Sequence, residues 1–293
     1  MSNAAPADVD TLQQLLQDQG YLADRGLATA TYISMKLGRP LLLEGEVGVG
    51  KTELAKTLAA LTSRRLIRLQ CYEGIDTSQA LYEWDYARQM LHIRALSAHQ
   101  LTDDESVDSL FGEGFLVERP LLEAVRAGDD CVLLIDEIDR ADDEFEAFLL
   151  ELLSDFQVTI PEVGTIKAES RPIVILTSNR TRELHDALKR RCLYHWIDYP
   201  SAEREQEIVQ TRLPEVSEVL AANAVAAVHR LRGLDLSKPP GVAETIDWVS
   251  AIQAIGAHDL DDQTAIVTLG SVVKDRDDLK SVERRIGEIV GAD

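Results

Sequence analysis

Residues 40–56 constrain the fold of this chain more than any other stretch. Leu41-Leu42-Leu43 is a short apolar run, and Gly45-Glu46-Val47-Gly48-Val49-Gly50-Lys51-Thr52 then fits G-x-x-x-x-G-K-[ST] at every fixed position. Glu53-Leu54-Ala55-Lys56 opens a helical pattern. Strand, glycine-rich loop and helix thus follow one another without a gap. Glycines let the backbone turn its N–H groups inward around phosphate oxygens, where the helix N-terminus also favours negative charge. In such a loop Lys51 reaches the outer phosphates and the Thr52 hydroxyl ligates magnesium, while Glu46, Val47, Gly48, Val49, Gly50 and Glu53 complete the binding segment. An ordinary glycine-rich turn would not need the flanking strand and helix. The expectation is a bound nucleoside triphosphate.

The 293 residues suffice for a large domain plus a smaller one, and 45% hydrophobic content supports a real core. Acidic residues outnumber basic ones 51 to 30, a net charge of −21. A sequence-independent grip on nucleic acid or anionic lipid needs a positive surface, so no nucleic-acid partner is expected. The acid clusters Asp103-Asp104-Glu105, Asp142-Asp143-Glu144, 259–262 and 275–278 read as solvated faces and turns. The three cysteines, Cys71, Cys131 and Cys192, are far apart, and the six histidines are scattered. Neither a disulfide framework nor structural zinc is expected, and Cys131 reads as a small buried hydrophobe. Residues 1–10 lack a basic n-region and an apolar h-region. With no stretch near the roughly 20 apolar residues of a membrane span, the expected location is cytoplasmic.

Residues 11–37 look helical, interrupted at Gly20 and Gly26. A helix after the phosphate loop ends near Ser63, and 66–71 reads as a second strand. Further apolar runs lie at 131–135, 173–176 and 194–197. Continuous apolar strands separated by helical stretches indicate a parallel sheet covered on both faces. Between 155 and 172 the pattern switches: Phe156, Val158 and Ile160 alternate, Pro161-Glu162-Val163-Gly164 breaks the run, and Ile166 and Ala168 resume it. That is a β-hairpin inserted between a helix at 145–153 and the strand at 173. Beyond Pro200-Ser201 the chain reads as helices at 202–211, 216–231, 243–255, 262–273 and 279–290.

Asp136-Glu137 follows the 131–135 run, at the carboxyl end of a buried strand, where ligand crevices of such sheets lie. One carboxylate there can hold magnesium, and Asp136 is that residue; Glu137 is the general base for the attacking water. The competing reading is a helix cap. Asn179 ends the run Leu176-Thr177-Ser178-Asn179, where a neutral amide can orient water without adding charge, although asparagine at a strand end is a common turn residue. Arg190 and Arg191 close a helix-like stretch at 183–191. They read either as partners of the helix dipole or as an arginine finger reaching a neighbouring subunit's phosphate.

In their order along the chain, the phosphate loop, Leu134-Ile135-Asp136-Glu137-Ile138-Asp139-Arg140-Ala141, the hairpin, Thr177-Ser178-Asn179-Arg180 and Leu188-Lys189-Arg190-Arg191 resemble AAA+ ATPases. The hairpin and the segment between the second strand and Asp136 make the chain similar to the MoxR family. Arg68-Leu69-Gln70-Cys71-Tyr72-Glu73-Gly74 and the stretch from Lys238-Pro239-Pro240-Gly241 to Trp248 look like its CoxD-like branch. The resemblance covers about residues 20–290. It implies a P-loop AAA+ α/β core, its parallel sheet sandwiched by helices, with β-hairpin inserts and a C-terminal all-helical lid. Residues 1–20 would be a partly flexible N-terminal segment, 21–200 the nucleotide-binding domain and 201–293 the lid.

It further implies ATP and Mg2+ as cofactors, with Asp136 and Glu137 as the Walker B pair and Asn179 as sensor 1. Arg191 aligns with the finger, Arg190 second. One departure stands out: the family's sensor-2 arginine near Pro240 is missing among Val242, Ala243 and Glu244, and Lys238 is the nearest cation. The implied protein is a homo-oligomeric, hexameric ring ATPase with a chaperone-like role in metalloenzyme maturation and a partner carrying a von Willebrand factor A domain. Two alternatives stay open, an ATP-gated assembly scaffold with incidental turnover and a nucleic-acid motor or loader. Tyr82, Trp84 and Tyr86 alternate within the insert; they read either as a partner-contacting strand edge or as packing against the domain.

Overall fold

The structure is a computed structural model that describes residues 6–98, 112–161 and 163–291. The chain divides into two compact units. One comprises Met1–Leu12, Arg25–Glu44 and Ala55–His195, and the other Gln13–Asp24, Gly45–Leu54 and Trp196–Asp293.

Most of the sheet belongs to the first unit. β1 (Leu41–Gly45), β2 (Arg65–Gln70), β5 (Cys131–Asp136), β8 (Ile173–Ser178) and β9 (Leu193–Ile197) lie in the order β2-β5-β8-β1-β9. The first four of these strands run parallel. Register pairs Gln70 with Asp136, Ile135 with Leu176 and Glu44 with Ser178. Four carboxyl ends therefore emerge along one edge. Every residue of β5 and of β8 is buried, which is why these strands read as unbroken apolar runs. On one face Leu42, Leu133, Ile135, Val174 and Leu176 pack with Leu121 and Leu122 of α6 (Pro120–Ala127) and with Phe145, Leu149 and Leu152 of α7 (Asp143–Asp155). The alternate residues Leu41, Leu43, Val132, Leu134 and Ile175 point to the other face and are buried too. Each such leucine contributes about 2 kcal/mol by leaving water.

The expected hairpin is present. β6 (Gln157–Ile160) and β7 (Gly164–Lys167) pair antiparallel, with the Thr159 and Thr165 hydroxyls 3.0 Å apart. In the other insert, after the short helix α4 (Thr77–Ala80), β3 (Tyr82–Trp84) pairs antiparallel with β4 (Leu116–Glu118). Tyr82 and Trp84 meet edge to face at 6.0 Å and pack against the core. The expected aromatic alternation stops there, because Tyr86 opens helix α5 (Tyr86–Ala98) and is 62% exposed. The cluster Asp103-Asp104-Glu105 lies outside the described residues.

At the N-terminus α1 (Val9–Asp18) and α2 (Arg25–Leu37) replace the single interrupted helix. Gly20 ends the first with a positive φ, the Tyr21 N–H donating to the Leu16 carbonyl at 2.9 Å. Gly26 sits inside the first turn of α2 and interrupts nothing.

In the second unit the helices are α9 (Ala202–Arg212), α10 (Glu218–Arg232), α11 (Val242–Ala254), α12 (Asp262–Thr268), α13 (Arg276–Glu283) and α14 (Ile286–Val290). Val209, Leu220, Ala224, Val228, Trp248, Ile252, Leu269 and Ile289 form their core. The fully buried Trp248 donates its indole N–H to the Thr268 hydroxyl at 2.8 Å. Two expectations are corrected. The single helix at 279–290 is two, beginning earlier because the Asp275 carboxylate caps the N–H groups of Asp277 and Asp278, and broken where Arg285 leaves helical backbone at φ −118°. Asp278 is not on a solvated face. It is buried and accepts the backbone N–H groups of Ser237 and Lys238, each at 3.1 Å.

Candidate functional site

Within the second unit, the phosphate loop leads into α3 (Lys51–Thr62), which starts at the lysine itself. The first-turn N–H groups of a helix have no intrahelical partner, so the loop presents them where an anion can bind. Gly48 and Gly50 hold positive φ of 77° and 94°. A Cβ on Gly48 would come within 2.9 Å of the Glu244 Oε2 and 3.0 Å of the Gly241 Cα. The N-terminus of α11 is thus seated on the loop, with the Ala243 N–H donating to the Gly48 carbonyl at 3.3 Å. Glu244, three residues into the cap, reaches back to accept the Gly241 N–H at 2.9 Å; glycine has no side chain to return the bond. The buried Lys51 folds over the loop and donates to the carbonyls of Gly45 at 2.8 Å and Glu46 at 2.6 Å. Val47 is exposed, Tyr21 donates its hydroxyl to the Gly50 carbonyl at 3.4 Å, and Glu53 pairs with Arg212 at 2.9 Å. Burial, then the charges of Asp24 and Glu53, push the Tyr21 phenol well above its ordinary range.

Within the first unit, β5 delivers Asp136, 3% exposed, and the chain then turns sharply. Glu137 is left-handed (φ 55°, ψ 50°), its N–H donating to the Thr177 hydroxyl at 2.9 Å. That hydroxyl in turn donates to the Asp136 Oδ1 at 2.5 Å. The Asp136 Oδ2 accepts two N–H bonds from Arg68, from Nε at 3.0 Å and Nη2 at 2.6 Å. Around the Glu137 carboxylate stand Gln70 Nε2 at 3.1 Å, Arg140 Nε at 2.8 Å and Asn179 Nδ2 at 3.5 Å. Asp136, Glu137 and Asn179 therefore lie side by side. Against the reading of the acid pair as a cap, Glu137, at the cap position of the turn Ile138–Arg140, makes no side-chain cap bond. Burial and then the charge of Asp136 push the nearby Cys71 thiol up to about 12.

Sequence reasoning missed several residues here. Arg68 and Gln70 lie two apart on β2, hence on one face of the strand, and that spacing was the available signal. Thr177 sits two residues before Asn179. Glu44 is a buried carboxylate that accepts the Ser178 hydroxyl at 3.2 Å and the Tyr194 hydroxyl at 3.1 Å. Asp139, also buried, accepts the Thr181 N–H at 2.8 Å and its hydroxyl at 2.7 Å.

Arg190 and Arg191 end α8 (Asp186–Arg191) and are exposed, while Leu188 anchors the helix in the core. Arg39 holds this end, its Nη2 reaching the carbonyls of Arg190, Arg191 and Cys192 at 3.0, 3.3 and 3.3 Å. Lys238 is exposed. In the second unit the cation at Pro240 is instead Arg232, donating to the Pro240 carbonyl at 2.7 Å and paired with the fully buried Glu205 at 2.6 Å. Glu205 also accepts the Thr245 hydroxyl at 2.6 Å and faces His229 at 3.0 Å, and Arg232 stacks 4.3 Å from the centre of the Tyr199 ring.

The donor chemistry suits the implied groups. A hydroxyl (Thr52) and a carboxylate (Asp136) are the hard oxygen ligands magnesium prefers. The glycine loop at a helix start, with a lysine laid along it, suits a triphosphate. Among the described residues no cluster of three or more His, Cys, Asp or Glu could hold another metal, and no helix is long and apolar enough to cross a membrane.

A parallel sheet with a phosphate loop after β1, an acid pair after β5, a polar residue after β8 and a helical C-terminal region define an AAA+ P-loop fold. The family model for the AAA domain (dynein-related subfamily) matches residues 40–192, and the chain belongs to that family. It is 23% identical over 267 residues to the uncharacterized protein SH1500 of Staphylococcus haemolyticus, covering 89% of this chain and 91% of that protein. It is 31% identical over 163 residues to the chaperone protein ClpB of Leptolyngbya boryana, covering 54% of this chain but only 15% of ClpB. A mutant of Thermotoga maritima RuvB superposes with a TM-score of 0.51 at 17% identity, over 98% of this chain and 81% of that one. That last likeness is one of fold.

Proposed function

We propose that this chain is a MoxR-type AAA+ ATPase. In this reading the loop 45–52 and Lys51 hold the phosphates of ATP, Thr52 and Asp136 ligate magnesium, and Asn179 orients the attacking water. Glu137 takes the proton from that water. The observation that carries the reading is the setting of Glu137. Its backbone is turned by the Thr177 hydroxyl directly after the buried Asp136, and its carboxylate faces Gln70, Arg140 and Asn179. Bound magnesium would neutralise charge developing on the phosphates; the chain's own work is to align the two carboxylates and the amide.

Residues 21–200 then serve as the nucleotide-binding domain and 201–293 as the lid of a ring, a hexamer by family resemblance. Arg191, or Arg190 beside it, is the finger donated to the neighbouring subunit. The resemblance to MoxR proteins supports a cytoplasmic, chaperone-like role in activating a metalloenzyme, with a von Willebrand factor A domain partner. Relatives named as the chaperone ClpB favour remodelling over a nucleic-acid motor, as does the net charge of −21. An ATP-gated scaffold is the second reading. It is favoured by the carboxylate of Glu244 standing by Gly48, in the region where the family carries a sensor-2 arginine.

The test is ATP hydrolysis against protein concentration for the wild type, Arg191→Ala, Lys51→Ala and their mixture. A shared site predicts specific activity that rises with concentration, two inactive variants and partial recovery on mixing. Activity independent of concentration together with an unimpaired Arg191→Ala would remove both finger and ring.

A further inference from the structure

We propose that Arg68 is the resident counter-ion of Asp136 and that magnesium binds by displacing it. This rests on the reading of Asp136 as a metal ligand. The Asp136 side chain is only 4% exposed, and a buried carboxylate needs a compensating charge. Arg68 supplies that charge through Nε at 3.0 Å and Nη2 at 2.6 Å, both on Oδ2, while Oδ1 is engaged by the Thr177 hydroxyl at 2.5 Å.

The two partners are unequal. The Arg68 side chain is 49% exposed, so its guanidinium has a way into water and leaves no buried unpaired cation when it lets go. The carboxylate has no such exit. A guanidinium and a doubly charged metal held against the same carboxylate would repel each other, so exchange would be favoured over sharing. The release is also coupled to the base. Arg68 donates to the Gln70 side-chain oxygen, whose amide nitrogen in turn donates to the Glu137 Oε2 at 3.1 Å.

The experiment follows binding of a fluorescent ATP analogue to the full chain by anisotropy, with MgCl2 titrated into metal-stripped buffer. Wild type, Arg68→Gln, Arg68→Lys and Asp136→Asn are compared. An ion pair with one half-exposed partner is worth about a fivefold factor in a competing equilibrium. Arg68→Gln should therefore reach half-saturation at about three- to tenfold less Mg2+ than wild type, with Arg68→Lys between them because an ammonium still pairs. A midpoint that is unchanged or raised in either folded arginine variant, while Asp136→Asn weakens the metal dependence, overturns the exchange alone. Should Asp136→Asn titrate like wild type, the metal-ligand reading of Asp136 falls and the proposal falls with it.

Discussion

Replacing Gly241 by alanine tests the seat of α11 on the phosphate loop. At φ −85° Gly241 has an ordinary backbone, so alanine meets no conformational penalty. Its Cβ would nevertheless lie 2.5 Å from the Val47 carbonyl oxygen and 2.7 Å from the Gly48 Cα, both backbone atoms that cannot rotate away. Overpacking of this kind costs about 1–3 kcal/mol, and alanine is also a poorer N-cap than glycine by roughly 0.5–1 kcal/mol. The sum of about 2–4 kcal/mol corresponds to a melting point lower by roughly 3–7 °C for a chain of this length. Two glycines of the same unit serve as controls. Gly256 has φ +75° with nothing within 4 Å of an added Cβ, so alanine there should cost only the left-handed strain of about 1 kcal/mol. Gly270 has neither constraint, and its replacement should leave stability unchanged or slightly improved. The assay is thermal unfolding by circular dichroism, paired with anisotropy of a fluorescent ATP analogue. Gly241→Ala should weaken nucleotide binding by shifting Val47 and Gly48, whereas Gly256→Ala should not. If Gly241→Ala melts within about 1 °C of wild type while Gly256→Ala falls as expected, the close approach of loop and helix does not exist in solution.

Two further outcomes follow from buried groups. Burial raises the thiols of Cys71, Cys131 and Cys192 to about 12, 11 and 12. The native state thus keeps protons that the unfolded chain releases near pH 9. Stability from this source is fully present below pH 9 and is lost as pH rises toward 11–12, by roughly 1 kcal/mol per thiol at pH 10. Urea midpoints from pH 8 to 10 should show this slope, Cys→Ala variants should flatten it, and a thiol reagent at pH 8 should label these cysteines only after unfolding. Arg232→Met should destabilise by about 3–5 kcal/mol in urea, because it strands the fully buried Glu205, while a Glu205→Leu/Arg232→Met pair should recover most of the loss. A single-variant loss under about 1 kcal/mol would mean that this ion pair is wet.

Legibility differed by element. The apolar runs at 41–43, 131–135 and 173–176 end within two residues of β1, β5 and β8 because both faces of these strands are buried, so the runs carry no helical period to confuse them. The hairpin was legible for the opposite reason, strict alternation around a turn. The helix at 262–273 shrank to α12 and a following turn, and 279–290 split at Arg285, since helical periodicity persists across a break that packing imposes. Tyr82 and Trp84 show a limit of another kind: alternation announced a strand, but not that its aromatic face turns inward.

Local chemistry is what the sequence by itself determined: a glycine loop running into Lys51 and Thr52, an acid pair closing an apolar strand, and Asn179 closing another. Each is a short contiguous pattern whose conformation and reactivity arise from neighbouring residues, so it can be read without knowing where the rest of the chain lies. Tertiary structure alone decided the partners. Arg68 meets Asp136 across 68 positions, Arg39 reaches the carbonyls of Arg190 and Arg191 across about 150, and Glu205 gathers Arg232, His229 and Thr245. Such pairings depend on strand order and helix packing, which place side chains side by side irrespective of their spacing along the chain.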